Sequence, residues 1–156
     1  MSKKTISYSI KAMIILLTLT GACFLSGIGR IVDYLLPGFS RTTHTYWIIF
    51  FIICSVPCFL SLIPAWRVST NIGNNKAFCM ENAGYMKAIG ILMGIDTAFV
   101  FIMNTSLFIM GRSFFAFFLS FFLIFAIFFA LSICSFALCA LLNNASELQH
   151  QSDFTI

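Results

Sequence analysis

The chain has 156 residues, 60% of them hydrophobic and only 9% charged, with a formal net charge of +4 and a mean hydropathy of +1.00. A soluble domain carries about 25% charged residues, so that class is excluded. The collagenous, nucleic-acid-binding and disulfide-scaffold classes go with it.

The charges stand singly between long apolar runs and mark where the chain leaves lipid. A hydrocarbon core takes about 20 residues of apolar helix. The uncharged stretches predict four spans at 12–29, 46–66, 88–110 and 114–142, a loop at 67–87 and a tail at 143–156, all in one membrane domain. The fold class expected is therefore all-α: a polytopic four-transmembrane-helix bundle solvated by a lipid bilayer.

The first run follows Lys3, Lys4 and Lys11, as in a signal peptide, but it is longer than an h-region and no A-x-A site follows, so it reads as a retained span. Basic residues in short loops set orientation. With the N-terminus inside, the inner side holds Lys3, Lys4, Lys11, Arg67, Lys76 and Lys87, against Arg30, Arg41 and Arg112 outside. Both termini are expected in the cytoplasm and the chain in the cell membrane.

After span one, Arg30 and Asp33 have the spacing of a helical ion pair, and Pro37-Gly38 ends that helix. Tyr46, Trp47 and Trp66 sit at span ends, where interfacial aromatics belong. Span two holds Pro57, which frees a backbone carbonyl and predicts a kink, a packing bend more readily than a hinge, with Ser61 or a neighbouring helix to satisfy the carbonyl. Cys54 and Cys58 are one turn apart and share a face there. They supply too few ligands for a metal and read as small buried hydrophobes. Only Cys79 lies in a polar loop.

Span three carries Gly90-x-x-x-Gly94, a close-packing spacing that serves intramolecular contact first and a homo-oligomer second; Ala22 and Ser26 make a looser version in span one. Its one acid, Asp96, lies well inside the lipid, where a carboxylate costs about 2.5–3.5 kcal/mol at the bilayer centre. It is expected to face other helices, with Thr18, Thr20, Ser55 or Ser61 as neutral partners, either as packing glue or as a proton- or cation-responsive group acting with Asn104. The turn Gly111-Arg112-Ser113 forces a tight hairpin into span four, a Phe tract with no selected face.

Ahead of span three the loop reads Ala77-Phe78-Cys79-Met80-Glu81-Asn82, then Met86-Lys87-Ala88-Ile89-Gly90; Glu81 and Asn82 suit a helix N-terminus. The tail reads Glu147-Leu148-Gln149 through Asp153-Phe154-Thr155-Ile156, polar with interspersed apolar residues. These two segments resemble a four-span bacterial membrane family of unknown function, often encoded beside a small helix-turn-helix regulator of the XRE (Cro/CI) type. That family's pattern is Pro-Phe-Ser/Thr-x-Glu-Asn before a basic helix start, and Glu-Asn-Asp-Leu-Thr-Ile at the close. Here Ala77 stands for the Pro, Cys79 for the hydroxyl residue and Gln151-Ser152 for the acidic-amide pair. The resemblance implies the four-span layout and no activity.

Three function classes compete. The first is a non-enzymatic membrane partner or sensor for a cytoplasmic protein such as that regulator, docking through Phe78, Glu81, Asn82, Asp153 and Phe154. The second is a small transporter subunit or immunity-type protein with a polar site at Asp96 and Asn104. The third is an intramembrane enzyme, ranked last: the spans hold one acid and no histidine, and His44 and His150 fall on opposite sides. No catalytic residue, cofactor, metal site or direct nucleic-acid contact is expected, and no phosphate-binding loop motif occurs.

Overall fold

The computed structural model describes the backbone of residues 3–153 and the side chains of 3–148. These form five α-helices: α1 (Lys3–Ser26), α2 (Ile28–Leu35), α3 (Arg41–Gly73), α4 (Met80–Ile109) and α5 (Phe115–Asp153). Four of them, all but α2, are long and apolar enough to cross a membrane. Among the described residues there is no strand.

α1 ends where Gly27 and Gly29 flank Ile28, and the chain turns into the short α2. Ile28 and Val32, with Leu36 just beyond, recur every fourth residue and bury one face, while Tyr34 points outward. Pro37 and Gly38 then break the helix, Gly38 at a φ of +88°. The expected Arg30–Asp33 pair does not form. Asp33 Oδ1 instead lies 2.7 Å from His44 Nδ1, and His44 Nε2 lies 3.0 Å from the Leu36 carbonyl. Both partners are acceptors, so only the doubly protonated imidazolium donates to both. This clasp ties the end of α2 to the start of α3, which Ser40 caps by accepting from the Thr43 N–H.

α3 runs unbroken through Pro57 and Pro64. Ser61 donates to the Cys58 carbonyl, not to Ile53, whose carbonyl Pro57 frees. At the far end of α3, Asn75 takes a φ of 63°, and the chain reverses in six residues, 74–79. Helices α3 and α4 thus run well into the expected 67–87 loop. α5 likewise runs on to Asp153, because nothing after Leu142 breaks it: residues 143–153 include neither Gly nor Pro.

The helices pack in the order α1–α3–α4–α5, with α2 laid over α1 and α3. Among the described residues α1 makes no close backbone contact with α4 or α5, which leaves the bundle open along one side. The buried core lies at the α2 end: Ile28, Val32, Leu36, Trp47, Phe50, Val100, Leu107 and Phe121. Trp47 is 1% exposed, with rings of Phe50, Phe51, Phe117 and Phe121 around it, and its Nε1–H donates to the Arg112 carbonyl at 3.0 Å. It is therefore a core residue and not the interfacial aromatic its position suggests. The α2 cover and the α4–α5 turn close over it, an arrangement that hydropathy does not record. Trp66 does lie at the surface, under the Lys11 ammonium.

The α4–α5 hairpin turns at Gly111, φ +65°, and Gly90 and Gly94 settle its contact lower down. A Cβ on Gly90 would meet the Phe136 ring at 3.2 Å, one on Gly94 would meet Ser132 Oγ at 3.3 Å, and Ser132 donates to the Gly90 carbonyl. The small-residue spacing is used inside the chain.

Candidate functional site

α4 buries one line of residues, spaced by three or four, that includes Met93, Asp96, Thr97, Val100, Asn104 and Leu107. Asp96 is thereby carried to the interior, fully buried, against the face of α3 that bears Cys54 and Cys58. The Cys58 thiol donates to Asp96 Oδ2 at 3.2 Å, and Cys54, one turn earlier, faces the same carboxyl. Oδ1 has no hydrogen-bond partner among the described residues. The expectation that Asp96 faces inward holds. Its expected hydroxyl partners do not.

Thr18, Thr20, Ser55 and Ser61 each donate to a carbonyl of their own helix three or four residues back. That internal bond is the usual recourse of a hydroxyl in an apolar helix. The two thiols have no such competing attachment and are free to reach across. The i, i+4 spacing of the cysteines was the available signal, and it matters because Asp96 sits opposite.

Asn104 is a separate feature. It lies eight residues beyond Asp96, about 12 Å along the helix, and its Nδ2 donates to the Phe118 carbonyl at 3.1 Å, fastening the α4–α5 hairpin. The structure does not bring the two into one site. Among the described residues no cluster of three His, Cys, Asp or Glu side chains is arranged to hold a metal ion.

Cys54 and Cys58 also line a groove of about 440 Å³ on the open side of the bundle, between Leu17 and Gly21 of α1 and Phe128 and Leu131 of α5. Its walls are almost wholly apolar. Chemically, the arrangement is a carboxyl shielded from lipid by two weak thiol donors, with one oxygen left to accept.

The docking residues proposed from the sequence divide. Phe78 is 61% exposed and Glu81 is exposed, while Asn82 is buried and fully engaged. Asn82 accepts from Asn71 Nδ2 at 2.8 Å and donates to the Lys76 and Ala77 carbonyls. It organises the loop from within and does not cap the N–H groups of α4 or face outward. Met80, 72% exposed, joins Phe78 on the surface. Asp153 is the last residue of α5; its side chain, and all of Phe154, lie outside the described residues.

Four long apolar helices around a core that includes a buried carboxyl define a polytopic α-helical membrane protein. The chain belongs to the DUF2975 family, a protein family of unknown function whose model matches residues 32–156, from the second half of α2 through the tail. Neither a curated protein nor a solved structure shows significant similarity to the chain.

Proposed function

We propose that the protein is a non-enzymatic partner or sensor in the cell membrane, with both termini in the cytoplasm, that engages a cytoplasmic protein such as an XRE-type helix-turn-helix regulator. The observation that carries this reading is the surface at the end of the bundle bearing the 74–79 loop. Phe78 and Met80 are exposed there beside Glu81, in a segment flanked by Asn74, Asn75, Lys76 and Lys87 that is too polar to lie in lipid. Ser146 Oγ lies 3.7 Å from Met80 Sδ, which joins the α5 extension and the loop in one patch. Exposed apolar residues grouped on a water-facing surface are the mark of a protein contact. α5 extends about 10 Å beyond that level, offering a helix for a partner to grip.

The test is capture of the purified neighbouring regulator by the full-length protein in nanodiscs. Wild type should retain it, and a Phe78→Asp, Met80→Asp variant with unchanged helicity should release it. No capture by wild type, or equal capture by both, overturns the proposal. A second reading, a small transporter subunit or immunity-type protein, is favoured by one observation: the buried Asp96 carboxyl with an unpartnered oxygen. Solute flux into proteoliposomes that is abolished in Asp96→Asn would support it.

A further inference from the structure

The seam between α1 and α3 is built differently from the other helix contacts. Ser7 Oγ donates to the Ser69 carbonyl at 2.7 Å and Ser69 Oγ donates to the Ser7 carbonyl at 2.9 Å. A Cβ on Gly73 would meet Ser7 Oγ at 3.0 Å, so the two backbones are locked at close approach. Beside this lock lie two recesses that share Thr70. One is a polar cleft of about 160 Å³ lined by Lys4, Tyr8, Lys11, Thr70 and Asn74. The other, about 610 Å³, runs toward mid-membrane past Trp66, Ile63, Leu62, Phe59 and Ile14, with Arg67 at its polar end.

Among the described residues Lys4, Lys11 and Arg67 at this junction make no ion pair. Among the described residues the one ion pair is Asp33–His44, at the opposite end of the molecule. The acids Glu81 and Glu147 stand on α4 and α5, with which α1, the helix of Lys4 and Lys11, makes no close backbone contact among the described residues. Lys11 is held over the Trp66 ring, 5.2 Å from its centroid, where the two recesses adjoin. Trp66 is thus both the interfacial anchor and the wall between polar and apolar space.

From this juxtaposition we infer that the α1–α3 seam is a binding site for an anionic phospholipid, with its phosphate at Lys4 and Lys11 and one acyl chain along Trp66, Ile63 and Phe59. The ammonium groups and the Asn74 side-chain amide offer hydrogen-bond donors to phosphate oxygens, while the Thr70 hydroxyl already donates to the Trp66 carbonyl. The recess below continues at hydrocarbon depth, which a free phosphate would leave empty. Basic residues at the inner face of a membrane meet the leaflet that carries anionic lipid, and the proposed orientation puts the seam there.

Trp66 reports on the site directly. Full-length protein in nanodiscs is titrated with phosphatidylglycerol or phosphatidylcholine carrying brominated acyl chains, and Trp66→Phe identifies its share of the emission. Quenching of Trp66 by brominated phosphatidylglycerol should require about 30-fold less lipid than by the choline lipid, as two cations each contributing about fivefold on an anionic headgroup imply. Lys4→Gln with Lys11→Gln should abolish that preference, and Lys4→Gln alone, at an exposed position, should cut it about fivefold as one lost cation would. Glycerol phosphate without acyl chains should not displace the brominated lipid. Equal quenching by both lipids, a preference that survives in the double variant, or displacement by glycerol phosphate each overturns the assignment.

Discussion

Replacing Trp47 separates a core from an interfacial role. The ring is 1% exposed, in contact with four Phe rings, and donates one hydrogen bond to the Arg112 carbonyl. In water, Trp→Ala in a core costs about 3–5 kcal/mol, of which part is transfer from water. That part shrinks here, because lipid tails are as apolar as the core and the separated helices remain in lipid. The cavity and the lost hydrogen bond remain, so Trp47→Ala should cost about 2–3 kcal/mol. Trp47→Phe keeps most of the packing and loses the bond, worth about 0.6 kcal/mol on average and at most about 1.7 in membrane proteins; its expected cost is about 1 kcal/mol. Trp66→Phe, at a half-exposed site, should fall within about 0.5 kcal/mol of wild type. Unfolding in mixed micelles of increasing dodecyl sulfate fraction, followed by far-UV circular dichroism, gives all three. Wild-type stability for Trp47→Phe and Trp47→Ala together with a large loss for Trp66→Phe would refute the core assignment.

Gly90→Val should cost about 1–3 kcal/mol by overpacking against Phe136, whereas Gly84→Ala, with open space around it, should be neutral in the same assay. His44→Phe removes both bonds of the clasp, so backbone amides of Ile28–Leu36 should exchange faster with deuterium while those of α4 stay protected. Asp96→Asn keeps shape and an acceptor for the Cys58 thiol; stability should change by less than about 1 kcal/mol, and capture of the regulator should be unchanged. Lost capture with the fold intact would make the carboxyl part of the signal.

The four spans were legible because lipid imposes one demand, apolar length, that single charges such as Lys11, Arg30 and Lys87 punctuate clearly. The inward placement of Asp96 followed from the same cost. What escaped was set by contacts between helices. Trp47 lies at a span end in sequence and at the core centre in space, since α2 folds back over it. Asp33 chose His44 over Arg30 because α2 ends against the start of α3. Asp96 met thiols because the nearby hydroxyls bond their own helices. Asn82 carries an amide that suits a helix N-terminus, and that amide instead closes the loop beneath. Hydropathy carries no information on any of these pairings.

The central claim is that the loop and the α5 extension face the cytoplasm, where a partner can reach them, and Cys79 tests it most directly. It is the one cysteine outside the apolar helices. A membrane-impermeant maleimide should leave Cys79 unmodified in intact cells and label it in inverted vesicles, with Cys79→Ser removing the signal. Labelling of Cys79 from outside intact cells would reverse the orientation and contradict the proposed function.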